Sequence, residues 1–139
     1  KYYRAVVLNQ TGKDLTAGEK GTLTDYLLKD GKTNLSKVVN ADTKGAKKAV
    51  LEYEVLTVKE NRADLFIHLQ TGRHHQIRVQ MAHANLPLAG DRKYGKTDSM
   101  VSGMTGIALC SVKLQFMHPK TKKKMEFSIE PENRIFQLL

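Results

Sequence analysis

The sequence predicts an α+β fold, a mainly antiparallel sheet that carries one short core helix. Apolar and polar residues alternate with the period of a strand in residues 49–59, 63–70 and 108–116. Short polar turns link several of the predicted strands, and this is the connection that antiparallel hairpins use. One segment, residues 73–84, changes to helical spacing. With the shorter segments included, we expect five or six strands in one α+β layer.

Length and composition indicate one folded domain spanning residues 1–139. Hydrophobic residues make up 40% of the chain, which is enough to bury a core, and no shift in composition indicates a linker. No apolar run approaches the ~18 residues that a transmembrane helix requires. The opening residues lack a signal-peptide pattern and resemble a strand already under way, so we expect the chain to be part of a longer protein.

The charge of the chain is strongly basic. Subtracting 14 acidic residues from 23 lysines and arginines gives a net charge of +9. This favours a polyanionic partner such as nucleic acid, since no long basic amphipathic helix is present for a membrane surface. Solubility alone is the remaining interpretation. The single cysteine, Cys110, excludes an internal disulfide and favours a reducing cytoplasm.

The amino-terminal part of the chain contains short elements. Residues 1–8 predict a strand, and the polar residues 9–22, with three glycines, predict a loop. The pattern of residues 22–28 fits either one helical turn or a short strand. A further short strand is predicted at residues 37–39, followed by a basic loop at 40–48.

The two central strands form a predicted hairpin. In residues 49–59 the alternation slips at Leu56, which indicates a β-bulge or burial on both faces. The polar residues 60–62 supply the turn, and residues 63–70 supply the second strand.

The helix is predicted at residues 73–84 because Ile77 and Met81 lie one turn apart. The Thr-Gly pair before it offers a capping region. Residues 85–105 then predict a long loop, of a length that is usually functional or mobile. Residues 125–129 alternate as a final strand.

Two arginines flank the predicted start of this helix. Helix N-termini favour phosphates and carboxylates, and Arg73 lies beside that end. Arg78 lies about 100° around the helix from the buried side chain of Ile77. At that edge of the core it is able to pair with a buried acid; the alternative is that both arginines are solvated.

Other polar residues have simpler interpretations. His74 and His75 are adjacent, so they do not face the same way on a helix and make a poor metal site; no zinc spacing occurs either. Asp91 and Tyr94 fit the chemistry of a turn, and Tyr3 alone fits strand packing.

Four stretches combine into a longer pattern. They are Lys-Tyr-Tyr-Arg-Ala-Val-Val at 1–7, Leu-Gln-Thr-Gly-Arg-His-His-Gln-Ile-Arg-Val at 69–79, Pro-Leu-Ala-Gly-Asp-Arg-Lys-Tyr-Gly at 87–95, and a hairpin that begins at 108–119. In this order they resemble the catalytic core of the RluA-type RNA pseudouridine synthases. The family's motifs are Lys-x-Tyr-x-Ala-x-Val, Leu-x-Thr-Gly-Arg-Thr-His-Gln-Ile-Arg-Val and Pro-(hydrophobic)-x-Gly-Asp-x-x-Tyr-Gly.

The sequence departs from that family in two ways. His74 stands where the family commonly has Thr or Ser. The family's nucleophilic aspartate lies in a His-Arg-Leu-Asp segment upstream of the Lys-x-Tyr strand, and this sequence contains no such segment. The resemblance therefore implies the C-terminal half of a synthase catalytic domain over residues 1–139. We expect it to be inactive without the N-terminal half and prone to self-association.

The resemblance also implies a reaction, the isomerisation of uridine to pseudouridine in ribosomal or transfer RNA. The target nucleotide is flipped out of its stack, and no cofactor or metal is needed. Arg78 matches the family's partner of the nucleophilic aspartate. Tyr3 matches the tyrosine that stacks on the flipped base and assists proton removal from carbon 5. RNA contacts are expected from residues near these motifs: Arg73, His75, Gln76, Arg92 and Lys93.

Two other functions are compatible with the sequence. One is a non-catalytic RNA-binding module on the same scaffold, which explains the charge and the missing nucleophile. The other is a basic structural protein of ribosomes, which explains the charge but not the arginine motif together with the Gly-Asp and Tyr-Gly loop.

Overall fold

The computed structural model describes residues 1–95, 106–118 and 122–129. The strands in these ranges are β1 (Tyr2–Leu8), β2 (Lys20–Asp30), β3 (Leu35–Val39), β4 (Lys47–Lys59), β5 (Arg62–Leu69), β6 (Leu109–His118) and β7 (Lys122–Ile129), and the helix is α1 (Gln76–His83). No helix in this part of the chain is long and apolar enough to cross a membrane.

The seven strands form one sheet in the order β3-β2-β4-β5-β1-β6-β7. All neighbours pair antiparallel, so the predicted α+β class with a mainly antiparallel sheet and one short helix is confirmed. The expected count of five or six strands is too low. Residues 22–28, which the sequence left between helix and strand, lie in β2 because this segment pairs with both β3 and β4.

The predicted central hairpin is formed by β4 and β5. Their register shifts between Val55 and Thr57, which confirms the bulge predicted at Leu56. The extra residue leaves Leu56 exposed, while Val55 stays in the core.

The main core lies on the sheet face that α1 covers. Alternate positions of β1, β4 and β5 supply its buried side chains, and the helix adds Ile77 and Met81, each contributing about 1.5–3 kcal/mol by burial. Gln80, which is fully buried, donates from Nε2 to the Ala49 carbonyl at 3.2 Å and to Asp25 Oδ2 at 2.9 Å. These bonds fasten α1 to β4 and β2.

The helix begins later than predicted, at Gln76 rather than at residue 73. His75 precedes it in the left-handed conformation (φ 53°, ψ 27°), which an α-helix cannot contain. The predicted Thr-Gly cap is also wrong, because the Thr71 hydroxyl donates to the Gln76 side chain at 2.8 Å.

Several predicted boundaries shift as well. β2 and β4 each begin inside a segment predicted as loop. In the segment predicted as a long loop, Leu88 forms an isolated bridge with Val7, so this part lies against β1. Residues 96–105 of that loop, and residues 119–121 between β6 and β7, lie outside the described residues.

Candidate active site at the start of the helix

The candidate site is built where the loop of residues 87–95 folds back against α1. Arg78 Nε donates to Asp91 Oδ2 at 3.1 Å, and Arg78 Nη2 donates to Asp91 Oδ1 at 2.9 Å. The Asp91 side chain is 1% exposed and that of Arg78 is 16% exposed. Two parallel bonds fix the plane of the guanidinium. Arg78 thus pairs with a buried acid at the edge of the core, the first of the two alternatives that the sequence left open.

Asp91 also organises its own loop. Its Oδ1 accepts from the main-chain N–H groups of Lys93 and Tyr94, both at 3.1 Å, which is the turn chemistry predicted for it. Burial raises the pKa of Asp91, but the hydrogen bond from Arg78 and those from the backbone outweigh it, so the pKa lies below its ordinary value. The carboxylate is therefore ionised, and it holds Arg78 as a charged partner.

Arg78 keeps donors for a second acceptor. A guanidinium has five N–H donors, and the two bonds to Asp91 use only Nε and Nη2. The ring of Tyr94 covers one face, with Arg78 Cζ 5.0 Å from the ring centroid. Within the described ranges no hydrogen bond reaches Nη1. The outer edge of Arg78 is thus able to bind a carboxylate or a phosphate.

The Tyr94 hydroxyl connects three elements. It accepts from the main-chain N–H of Ser36 in β3 at 2.9 Å and lies 2.7 Å from Nδ1 of His75. The His75 ring also packs edge-on against the tyrosine, at 5.5 Å between centroids. These contacts hold β3, the start of α1 and the loop together beneath Arg78.

His74 lies on the other side of His75. The two rings are 3.8 Å apart, and His74 Nδ1 is 3.0 Å from the Ser36 hydroxyl. Burial lowers the pKa of both imidazoles, and the positive charges of Arg78 and Lys93 lower it further. The start of α1 is therefore a region of positive potential that favours anions.

The residues predicted to contact RNA have different positions. Arg92 and Lys93 are exposed on the loop, and Arg73 is half-buried, with Nε donating to the Lys48 carbonyl at 2.9 Å. Gln76 requires a correction, because it is 2% exposed. Its amide oxygen accepts from Thr71 and from the Arg73 N–H, and its Nε2 donates to the Val50 carbonyl. It braces the loop internally and offers no exposed contact.

Tyr3 lies half-buried on β1, opposite Ile67 of β5. It packs against the main core cluster, which also contains Ile77 and Met81 of α1. Because α1 packs on this side of the sheet, the fold brings Tyr3 and Arg78 to the same face.

Sequence reasoning missed three members of this arrangement. Asp91 and Tyr94 were visible in the loop motif but were assigned to the turn alone. Their contacts with Arg78 and His75 depend on how the loop folds back, which no local pattern specifies. Ser36 lies 38 residues before His74, and no signal in the sequence marks it.

Comparisons with known proteins agree with the family resemblance. Residues 1–83 match a family described as RNA pseudouridylate synthase. The uncharacterized RNA pseudouridine synthase YlyB of Bacillus subtilis (strain 168) is 36% identical over 113 residues, covering 81% of this chain and 36% of that protein. Ribosomal large subunit pseudouridine synthase D of Buchnera aphidicola subsp. Baizongia pistaciae is 31% identical over 137 residues, covering 91% and 40%.

The chain thus spans well under half the length of these two relatives. Among solved structures, human RNA pseudouridylate synthase domain containing 1 is similar in fold, with a TM-score of 0.65 and 15% sequence identity. That similarity covers 94% of this chain and 54% of the human chain.

Proposed function

This chain belongs to the RNA pseudouridylate synthase family, and we propose that the protein containing it converts uridine to pseudouridine in RNA. The Arg78–Asp91 pair carries the proposal, because it fixes a guanidinium at the edge of the core with its outer edge open to a second carboxylate. Relatives named as ribosomal large subunit synthases favour ribosomal RNA as the substrate over transfer RNA.

Arg78 is proposed to hold the nucleophilic aspartate. Residues 1–139 contain no His-Arg-Leu-Asp segment, and we propose that the aspartate is supplied from outside them. Residues 1–139 are then proposed to be the C-terminal portion of the catalytic domain, which fits their span of 36% and 40% of two relatives. An adjacent guanidinium lowers the pKa of a carboxylate and orients it. Asp91 preserves this geometry by fixing the plane of Arg78, which makes it a positioning residue.

The proposed reaction breaks the bond between N1 and C1′ of uridine and forms one between C5 and C1′. The proton on C5 leaves and N1 regains one, so no electrons are gained or lost, and the isomerisation requires no redox cofactor. Tyr3 is proposed to stack on the flipped base and to assist removal of the C5 proton. Its half-buried ring with a terminal hydroxyl suits both tasks.

Arg73, Arg92 and Lys93 are proposed to contact the RNA strand. Arg92 and Lys93 lie exposed on the loop that Asp91 orders, and the positive field at the start of α1 favours phosphates. His75 is reassigned from an RNA contact to a residue that positions Tyr94.

Tritium release from RNA labelled at carbon 5 of uridine tests this function. The full-length protein and the 139-residue chain are compared on ribosomal and transfer RNA. We expect release from ribosomal RNA by the full-length protein only, and slower release by the Tyr3→Phe variant. Absence of release from both RNAs, with RNA binding intact, would contradict catalysis and favour the non-catalytic RNA-binding module.

Two further properties are proposed on narrower grounds. A cytoplasmic location rests on the single cysteine, Cys110. Self-association of the 139-residue chain rests on the expected loss of its N-terminal partner half. Sedimentation at several concentrations checks the second property, and a constant monomer mass would contradict it.

A further inference from the structure

A basic cavity lies beside the candidate site. It has a volume of about 260 Å³ and lies between β2, β3, the start of β4 and the loop before α1. The polar and basic residues on its walls are Lys29, Ser36, Lys47, Arg73 and His74, and Gly45 and Gly72 contribute backbone to the walls. We propose that this cavity binds one backbone phosphate of the RNA strand that enters the Arg78 site. The RNA source of that phosphate rests on the proposed function.

The register of the strands brings Lys29 and Lys47 together on one wall of the cavity. Lys47 of β4 pairs directly with Leu27 of β2, and Lys29 of β2 pairs with Ser36 of β3. Directly paired residues, and residues two apart on one strand, share a face of the sheet. The four side chains therefore lie on the face that carries α1, because Leu27 packs with Val79 of that helix.

The charge of this cavity is uncompensated. No carboxylate lines it, and neither Lys29 nor Lys47 has an ion-pair partner in the ranges that the structure describes. A cavity of about 430 Å³ elsewhere on the sheet provides a contrast, since Glu52 and Glu54 line it together with Lys20. Phosphate is attracted to the basic cavity and is repelled by Glu52 and Glu54 in the other one.

The pKa of His74 responds to positive charges from both the cavity and the candidate site. Its pKa is lowered by burial and then by the charges of Lys29, Arg78 and Lys93. Lys29 lines the cavity and Arg78 belongs to the candidate site, so both act on one imidazole. An anion in the cavity would relieve the repulsion between these positive charges and a protonated His74, which itself lines the cavity.

The geometry leaves room for a phosphate at the wall. A Cβ added to Gly72 would meet no atom within 4 Å, so the backbone there is open to close approach. Arg73 is anchored through Nε to the Lys48 carbonyl, and its terminal nitrogens have no hydrogen bond within the described residues. The volume of about 260 Å³ is below the ~300–1,000 Å³ of typical ligand pockets. It suits a phosphate with part of its ribose.

Binding of a fluorescent oligouridylate to the 139-residue chain, measured against salt concentration, tests the site. We expect Lys29→Ala and Lys47→Ala each to weaken binding about tenfold, and Lys13→Ala, which removes an exposed charge elsewhere, less than twofold. Because both lysines hold the same phosphate, the double variant should lower the salt slope by about 0.7, the value for one phosphate of a single strand. Equal losses for all three lysines would overturn the proposal.

A second experiment fills the cavity with an apolar side chain and leaves the charge of the chain unchanged. Gly72→Leu should weaken oligouridylate binding as strongly as Lys47→Ala. The matched variant Gly31→Leu should not, although an added Cβ is equally unhindered there. Circular dichroism confirms that both variants are folded. If Gly72→Leu binds like the unmodified chain, the cavity is not the site.

A third arm identifies the source of the phosphate by NMR. The amides of Gly45 and Gly72 should shift with oligouridylate and not with an uncharged-backbone oligomer of the same sequence. Shifts with inorganic phosphate alone would indicate a free-anion site and overturn the RNA assignment. If these shifts occur while the full-length protein releases no tritium, the proposed function fails and the phosphate site stands. If the full-length protein releases tritium but these shifts do not occur, the phosphate site is refuted and the proposed function stands.

Discussion

Arg78 and Asp91, thirteen residues apart in the sequence, are joined by two N–H···O bonds of 2.9 and 3.1 Å. One residue lies on α1 and the other orders the loop that follows, so the pair locks the loop to the helix. The chemistry proposed for Arg78 and the stability of this corner therefore depend on the same contact.

Truncation of Arg78 should destabilise the chain. Arg78→Ala removes the guanidinium that pairs with the buried carboxylate of Asp91, and breaking a buried ion pair in this way costs about 3–5 kcal/mol. Urea unfolding measures the loss. The double variant Arg78→Met/Asp91→Asn should recover part of it, because it leaves no buried charge and the new amide oxygen can still accept from the main-chain N–H groups of Lys93 and Tyr94. A loss below ~1 kcal/mol for Arg78→Ala would show that the pair does not stabilise this corner.

The hydrogen bond that the Ser36 N–H donates to the Tyr94 hydroxyl should stabilise the fold. Tyr94→Phe leaves the buried Ser36 N–H without an acceptor, at a cost of about 1–3 kcal/mol in the free energy of unfolding. Tyr26→Phe is the matched control, since no hydrogen bond to the Tyr26 hydroxyl occurs in the part of the chain described. Equal stability of the two variants would argue against the role of Tyr94 as a connector.

The free energy of unfolding should fall in two stages as the pH is lowered. The pKa values of His74 and His75 are lowered in the folded chain, so their contribution is full above the ordinary value of 6.5 and is lost as pH falls below it. The pKa of Asp91 is lowered from 3.8, so its contribution is lost only below that pH. Urea midpoints between pH 8 and pH 3 measure both stages. The variant His74→Gln/His75→Gln should lack the first stage, and an unchanged profile would contradict the assignment.

Substitution of Gln76 should lower the stability of the chain, whereas substitution of Arg92 should weaken its binding to RNA. Gln76→Ala removes three internal hydrogen bonds and should lower the free energy of unfolding by roughly 1–3 kcal/mol. Arg92→Ala, at an exposed position, should change stability by less than ~0.5 kcal/mol and weaken RNA binding. Unfolding curves and anisotropy titrations check the two effects. The reverse pattern would restore Gln76 as an RNA contact.

Local patterns predicted the strands and the bulge because both depend on the alternation of side chains between two faces. They did not decide residues 22–28, where pairing with two neighbouring strands sets the conformation. The start of α1 was missed for a related reason. His75 adopts a left-handed conformation and its side chain contacts Tyr94, nineteen residues away, and no local propensity contains that contact.

The candidate site was predictable only in part. Helical geometry allowed Arg78 to lie at the edge of the core and pair with a buried acid, but it left a solvated Arg78 equally open and did not identify Asp91 as that acid. Tyr3 was selected by family resemblance alone, since its strand pattern fits packing equally well. Lys29 and Lys47 became part of a cavity only through the register of β2 with β3 and β4.

The rate of pseudouridine formation in a single turnover of the full-length protein on ribosomal RNA tests the central claim most directly. Wild type should form pseudouridine, and Lys13→Ala should match it within about twofold. Arg78→Lys keeps the charge but loses the two-bonded fork, and it should be slower by at least ~100-fold, about 2.7 kcal/mol of activation free energy. Formation at the wild-type rate by Arg78→Lys would contradict the role assigned to the Arg78–Asp91 pair.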